Sequence, residues 1–235
     1  FFLPVSKNCA LELIDPNKNE LSHSLQWALV QKTKSERMIG IINGNDYKNL
    51  NMEAKIPQIK KTTGIDFTSY NKNSSKKEVI QARKENKFKL YNDYMLPATS
   101  AKGVKSEKID MVKDLTSSIE FYKGKNDLSL PLISKKTFEK TPVLSVVGRL
   151  VSQKGIDIAV DSIAKLYKNW EKEFPNQEKP IIYFAGMDNE GGKQRKKIEE
   201  LIDNKLSKED ASRIVFAHGF VPINAIMAGS DFFLM

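Results

Sequence analysis

Val143-Leu144-Ser145-Val146-Val147-Gly148-Arg149-Leu150-Val151-Ser152-Gln153-Lys154-Gly155 is the stretch on which the fold turns. Behind Pro142 its first five residues form a short valine-rich run, the pattern of a parallel strand buried on both faces. Gly148 lets the chain turn tightly off that strand, and Gly155 stands where a helix begins. The spacing predicts this helix over Asp157 to about Glu173, with Ile158, Ile163, Leu166 and Trp170 along one apolar stripe. Strand, glycine-bounded loop and helix, in that order, open a parallel α/β sheet.

The pattern continues downstream. Ile181–Gly186 reads as the next strand and Lys193–Lys205 as an amphipathic helix on Ile198, Leu201 and Ile202. Arg213–Ala217 reads as a third strand, Pro222–Ala228 as a short helix, and Asp231–Met235 as a fourth strand. Such alternation predicts an α/β, Rossmann-like lobe over residues 142–235, a parallel sheet with right-handed crossovers. The last strand runs to the final residue, so the lobe reads as incomplete.

Ligands of open α/β sheets sit at the carboxyl ends of the strands, near a topological switch point. That rule points to Gly148–Gly155, Gly186–Gly192, His218–Phe220 and whatever follows Met235. In the first of these, Arg149 offers a planar fork to phosphate oxygens and Lys154 a point charge. Gly155 brings backbone close at a helix N-terminus, where unpaired N–H groups favour an anion. The grouping is diphosphate-shaped, although its spacing also describes an ordinary strand–helix loop with surface charges. It carries no Walker Lys-Ser or Lys-Thr pair.

Upstream the texture changes. Residues 1–46 hold a short amphipathic helix around Leu21, Leu25, Ala28 and Leu29, then the strand Met38–Ile42, closed by Asn43-Gly44-Asn45-Asp46 turn chemistry. Residues 47–141 are rich in Lys, Asn and Ser and read as a partly helical insertion or linker. Within them, Lys76–Tyr94 is predicted helical with Ser74 or Ser75 as N-cap, and Ser106–Tyr122 forms a second helix on Ile109, Val112, Leu115, Ile119 and Tyr122. The chain between these helices reads as surface loop, and Gln58–Asn73 receives no assignment.

The chain has 235 residues, 40% of them hydrophobic and 29% charged, enough to build a core in a water-exposed protein. Mean hydropathy is −0.44, and no apolar run approaches the roughly 20 residues of a membrane helix. The net charge of +9 suggests polyanion binding, but the lysines are scattered, many beside Glu, without interleaved aromatics. Nucleic acid is therefore not an expected partner. Cys9 is the sole cysteine, which excludes an internal disulfide and fits a reducing compartment. The Phe1-Phe2-Leu3-Pro4-Val5 start has no signal-peptide pattern and reads as a cut end, so the expected location is cytoplasm or plastid rather than the secretory route.

Val146–Asp157 closely resembles the phosphate loop of glycogen and starch synthases. Asn224–Met235 resembles the segment just before that family's Glu-Pro-Cys-Gly motif, and Gly40-Ile41-Ile42-Asn43-Gly44-Asn45-Asp46 resembles its crossover between lobes. Val5–Lys7 and Ala10–Leu13 match the stretch ahead of it loosely. The resemblance does not extend to Pro57–Lys140, for which no matching motif is placed.

The resemblance implies a retaining glucosyltransferase built from two Rossmann lobes (GT-B). Such enzymes carry glucose from ADP-glucose or UDP-glucose to the non-reducing end of an α-1,4-glucan, with no essential metal and no further cofactor. Gly148, Arg149, Lys154 and Gly155 would bind the nucleotide sugar, and Arg149 and Lys154 would act in catalysis by stabilising charge on the leaving phosphate. Phe220 falls where the family packs an aromatic residue, often Tyr, on the nucleotide base; it could equally be core after a strand. Asn43 could touch sugar in the cleft, or serve only its turn. The family's Lys-x-Gly-Gly-Leu and Glu-Pro-x-Gly segments are absent, so the chain reads as an internal fragment, inactive alone. Alternatives are a module that holds nucleotide or glucan without transfer, and another GT-B nucleotide-sugar transferase.

Three further features carry less. Gly186–Gly192 could approach ribose or phosphate, or be a plain turn. Asp188 and Glu190 have no context for acid–base work. His23 and His218 lack acidic partners at metal spacing, and His218 reads as a structural strand-end residue.

Overall fold

The computed structural model describes residues 52–124, 129–151, 154–188 and 191–234, apart from the side chains of residues 156 and 157. The expected crossover, Asn43 and Cys9 lie outside the described residues. One compact unit spans Leu50–Met235, running across residues 141 and 142.

Helix α1 (Met52–Thr63) runs into the stretch from Gln58 that sequence leaves unassigned, with Pro57 inside it. Pro57 costs the helix one backbone bond, and burial of Met52 and Ile59 offsets that loss. Helix α2 (Lys76–Leu90) begins at Ser75 with a full capping box, in which the Ser75 hydroxyl accepts from Glu78 N–H and the Glu78 carboxylate accepts from Ser75 N–H. The expected helix to Tyr94 changes character at Tyr91–Met95, a π-helical turn leading into α3 (Leu96–Ala98). Pro97 has no N–H to give Asp93, and the turn ahead of it widens.

Helix α4 (Ser106–Leu115) ends seven residues before the predicted Tyr122. The Thr116 hydroxyl bonds back to the Val112 carbonyl at 2.6 Å, and Ser117 and Ser118 favour such local bonding over helix. The chain then forms strand β1 (Glu120–Phe121), which corrects the longer helix read from periodicity. Tyr122 accordingly packs edge-on to Phe216 and donates to Asp203 at 2.6 Å.

After the short α5 (Lys135–Phe138) come β2 (Val143–Val147), α6 (Ile156–Glu173), β3 (Ile181–Gly186), α7 (Lys193–Lys205), α8 (Lys208–Ala211), β4 (Ile214–His218), α9 (Ile223–Gly229) and β5 (Phe232–Leu234). The sheet order is β1-β4-β3-β2-β5, with β1 antiparallel to β4 and every other pairing parallel. β2, β3 and β4 thus step in one direction while β5 returns to the other side of β2.

Both faces of the sheet are covered, and β3 is buried at all six positions. On one face Val160, Ile163 and Tyr167 of α6 and Ile198 and Ile202 of α7 meet Val146, Ile182, Phe184 and Phe216. On the other, Ile59, Leu90, Tyr94, Met95, Ala225 and Ile226 meet Val143, Tyr183, Ala185 and Val215. Helices upstream of Thr141 therefore supply much of one cover. Asn86 of α2 pins the segment before it, accepting from Thr68 N–H at 2.7 Å and donating to Thr68 O at 2.9 Å.

Candidate functional site

β2 is the strand where the winding direction changes, so its carboxyl end faces the switch point toward β5. The Gly148–Gly155 loop leaves from there along the end of β3. Gly148 N–H donates to Ala185 O at 3.0 Å and Leu150 N–H to Met187 O at 2.8 Å. Leu150 pairs with Asp188 in a parallel bridge, its side chain buried. Arg149, just before this anchor, is exposed, as is Lys154. Among the described residues neither joins an ion pair.

Gly155 sits at φ 58°, ψ 31°, a left-handed conformation that favours glycine, and α6 starts after it with no side-chain cap. An 18-residue helix therefore presents its amino end beside two exposed cations. Gly186 is the second backbone requirement. A Cβ placed there would collide with Gly148 O, so only glycine lets the loop run this close to β3.

The Gly186–Gly192 turn is arranged differently. The Asp188 carboxylate accepts from Arg195 N–H at 2.8 Å, so the chain's own anion already serves the amino end of α7. Arg195 also bonds Glu199 at 2.8 Å and pairs with Glu120 of β1. That guanidinium holds the Glu120 carboxyl below its ordinary range, by hydrogen bond first and charge second. His218 Nε2 accepts from Asp188 N–H at 3.2 Å. This Glu120–Arg195–Asp188–His218 cluster was hidden from sequence because Glu120 reads there as helical. Among the described residues no group of three or more His, Cys, Asp or Glu could hold a metal ion.

Phe220 is 79% exposed, which removes the core reading. It follows β4 and lines a cavity of about 380 Å³ with Gln58 and Ile59 of α1, Leu115, Ile119 and Asn224. Asn224 Nδ2 donates to Gln58 Oε1 at 3.1 Å across this cavity's rim. None of the described residues of the Gly148–Gly155 loop lines it. Loop and ring share the carboxyl edge of the sheet, the loop leaving β2 and the ring following β4. No periodicity could have announced α1 as a wall of this cavity.

Compared by sequence, the chain matches no protein-family model and no curated protein. Compared by structure, it is similar to the catalytic domain of starch synthase IV from Arabidopsis thaliana, bound to ADP and acarbose, with a TM-score of 0.53 and 18% identity. The similarity covers 98% of this chain and 33% of that one, so the chain spans about a third of that relative's length. At this identity the likeness is one of fold: a mostly parallel α/β sheet with helices, similar to a GT-B starch synthase domain.

Proposed function

We propose that the chain is the donor-binding portion of a retaining glucosyltransferase of the glycogen and starch synthase type. It would carry glucose from ADP-glucose or UDP-glucose to the non-reducing end of an α-1,4-glucan. The observation that carries this reading is the placement of Arg149 and Lys154, exposed and outside any described ion pair, where the loop leaves β2 at the switch point. The sequence resemblance of that loop and the shared fold support it.

Breaking the glycosyl–phosphate bond leaves a nucleoside diphosphate that carries the bond's electron pair. In this proposal Arg149 meets that charge with a bidentate fork and Lys154 with a point charge, so both gain most as the charge develops. The amino end of α6 adds a fixed positive potential at no cost of reorganisation. Gly148 and Gly155 bring the backbone near enough for its N–H groups to contribute. The exposed ring of Phe220 would take the base against its face.

Calorimetric titration with ADP, UDP and AMP tests the reading. ADP or UDP should bind without added divalent metal, and AMP at least about tenfold more weakly, because two cations at a helix start suit a diphosphate. Equal binding of AMP and ADP, or no binding of any of the three, would overturn it. Transfer of radiolabel from ADP-glucose or UDP-glucose to glycogen by the full-length protein separates a transferase from a module that only holds nucleotide.

A further inference from the structure

His218 closes β4 two residues after Phe216, so strand alternation puts both on the face covered by α6 and α7. Among the described residues, Gly219 N–H to Gly186 O at 3.1 Å is the last backbone bond between β4 and β3. The imidazole takes the next rung, accepting from Asp188 N–H at Nε2. Asp188 is the residue against which Leu150 pairs. The Gly148–Gly155 loop thus leans on the β3 extension, and that extension leans on His218.

Nε2 can fill the acceptor role in this bond only while it carries no proton. A second proton would turn the acceptor into a donor facing a donor, and the rung would be lost. Among the described residues, the charged groups around it are Glu120, opposite in register on β1, Arg195 of α7, which pairs with Glu120, and the Asp188 carboxylate, turned toward Arg195 N–H.

We propose that His218 is a positioning residue for the Gly148–Gly155 loop, holding it in its anion-binding form as a neutral imidazole and releasing it when protonated. The proposal rests on the reading of that loop as a diphosphate site. Its sign is distinctive. A cation beside a diphosphate should tighten binding by charge alone, whereas release of the loop loosens it.

The test compares wild type with His218→Gln, which keeps an acceptor that does not titrate, and His218→Phe, which keeps a ring without an acceptor. Imidazoles generally change charge between about pH 5 and 8, so ADP binding is titrated at about pH 8 and about pH 5.5. Acidification should weaken ADP binding by wild type at least about tenfold more than by His218→Gln, which cancels the titration of ADP itself. His218→Phe should bind about tenfold more weakly than wild type at pH 8, with faster amide exchange at Leu150 and Asp188 and unchanged exchange at Ile182 and Phe184. Wild-type affinity that rises on acidification, or follows the Gln variant, overturns the proposal. So does unchanged Leu150 exchange in the Phe variant. Should that variant not fold, Leu150 exchange in wild type against His218→Gln at the two pH values decides the same question. A wild type that binds no ADP overturns the diphosphate reading instead, and the exchange rates then decide the positioning role alone.

Discussion

Lys87, in the last turn of α2, reaches Asp231, just ahead of β5, with Nζ 3.0 Å from Oδ2. The same ammonium donates to Thr141 O at 3.0 Å and Glu139 O at 3.3 Å, and the same carboxylate oxygen accepts from Val143 N–H at 2.9 Å. The pair is lopsided, since the Lys87 side chain is 7% exposed and that of Asp231 37%. Removing Asp231 leaves a buried ammonium with carbonyl partners and no counter-charge, while removing Lys87 leaves a carboxylate that water can reach. Asp231→Ala should therefore cost about 2–3 kcal/mol, short of the figure for a fully buried pair, and Lys87→Met about 1 kcal/mol. Urea midpoints of the two variants check the order, and a larger loss in Lys87→Met would refute the argument.

Arg149→Ala and Lys154→Ala should each remove about 1.5–3 kcal/mol of ADP binding, the scale of a charged hydrogen bond, with little change in melting temperature. Both side chains are exposed, so the fold does not depend on them. Calorimetry with each variant measures the loss directly, and full affinity in both would remove them from the site.

Gly186→Ala should act on the same loop from behind. The added methyl meets Gly148 O, which must retreat from β3. We expect ADP affinity to fall at least about tenfold and stability by about 1–3 kcal/mol, the usual cost of overpacking. Retained affinity with lowered stability would mean that the strain is absorbed elsewhere.

Burial raises the Tyr91 and Tyr94 phenols from the ordinary value to about 12. For Tyr91 the donated Ile133 N–H opposes the shift without cancelling it. In the unfolded chain both would ionise near pH 10. Their contribution is therefore complete below about pH 10 and is lost as pH rises to about 12, on the order of 2–3 kcal/mol per ring. Urea denaturation at stepped alkaline pH should show this fall, with a shallower slope in Tyr91→Phe. That variant also starts lower, because Ile133 N–H and Pro131 O lose their partner. Equal slopes in both proteins would count against buried phenols as the cause.

Sequence carried the parts of this fold that depend on near neighbours. Ile181–Gly186 was readable because a strand buried on both faces must be apolar throughout, and Lys193–Lys205 because one helix face repeats every turn. The position of Arg149 and Lys154 was readable because glycines bound the loop. What escaped depends on partners distant along the chain. Glu120 became strand by pairing with β4, and α1 came to face Phe220 through Gln58 and Asn224, 166 residues apart. Phe220 itself follows a strand as a core residue would, and only the packed structure shows its ring uncovered.

The grip of α2 on the approach to β5 also sets a timetable. Arg83 donates to Ser230 O at 3.0 Å, a partner 147 residues later. On a translating ribosome adding 5–20 residues per second, α2 would emerge about 7–30 s before the turn that completes its surroundings. Through that interval Leu90 and Tyr94 have no sheet to lie against, because β2, β3 and α9 are still unmade. The nascent chain must carry Leu90 and Tyr94 unsheltered until Ser230 and the strand after it draw the lobe shut.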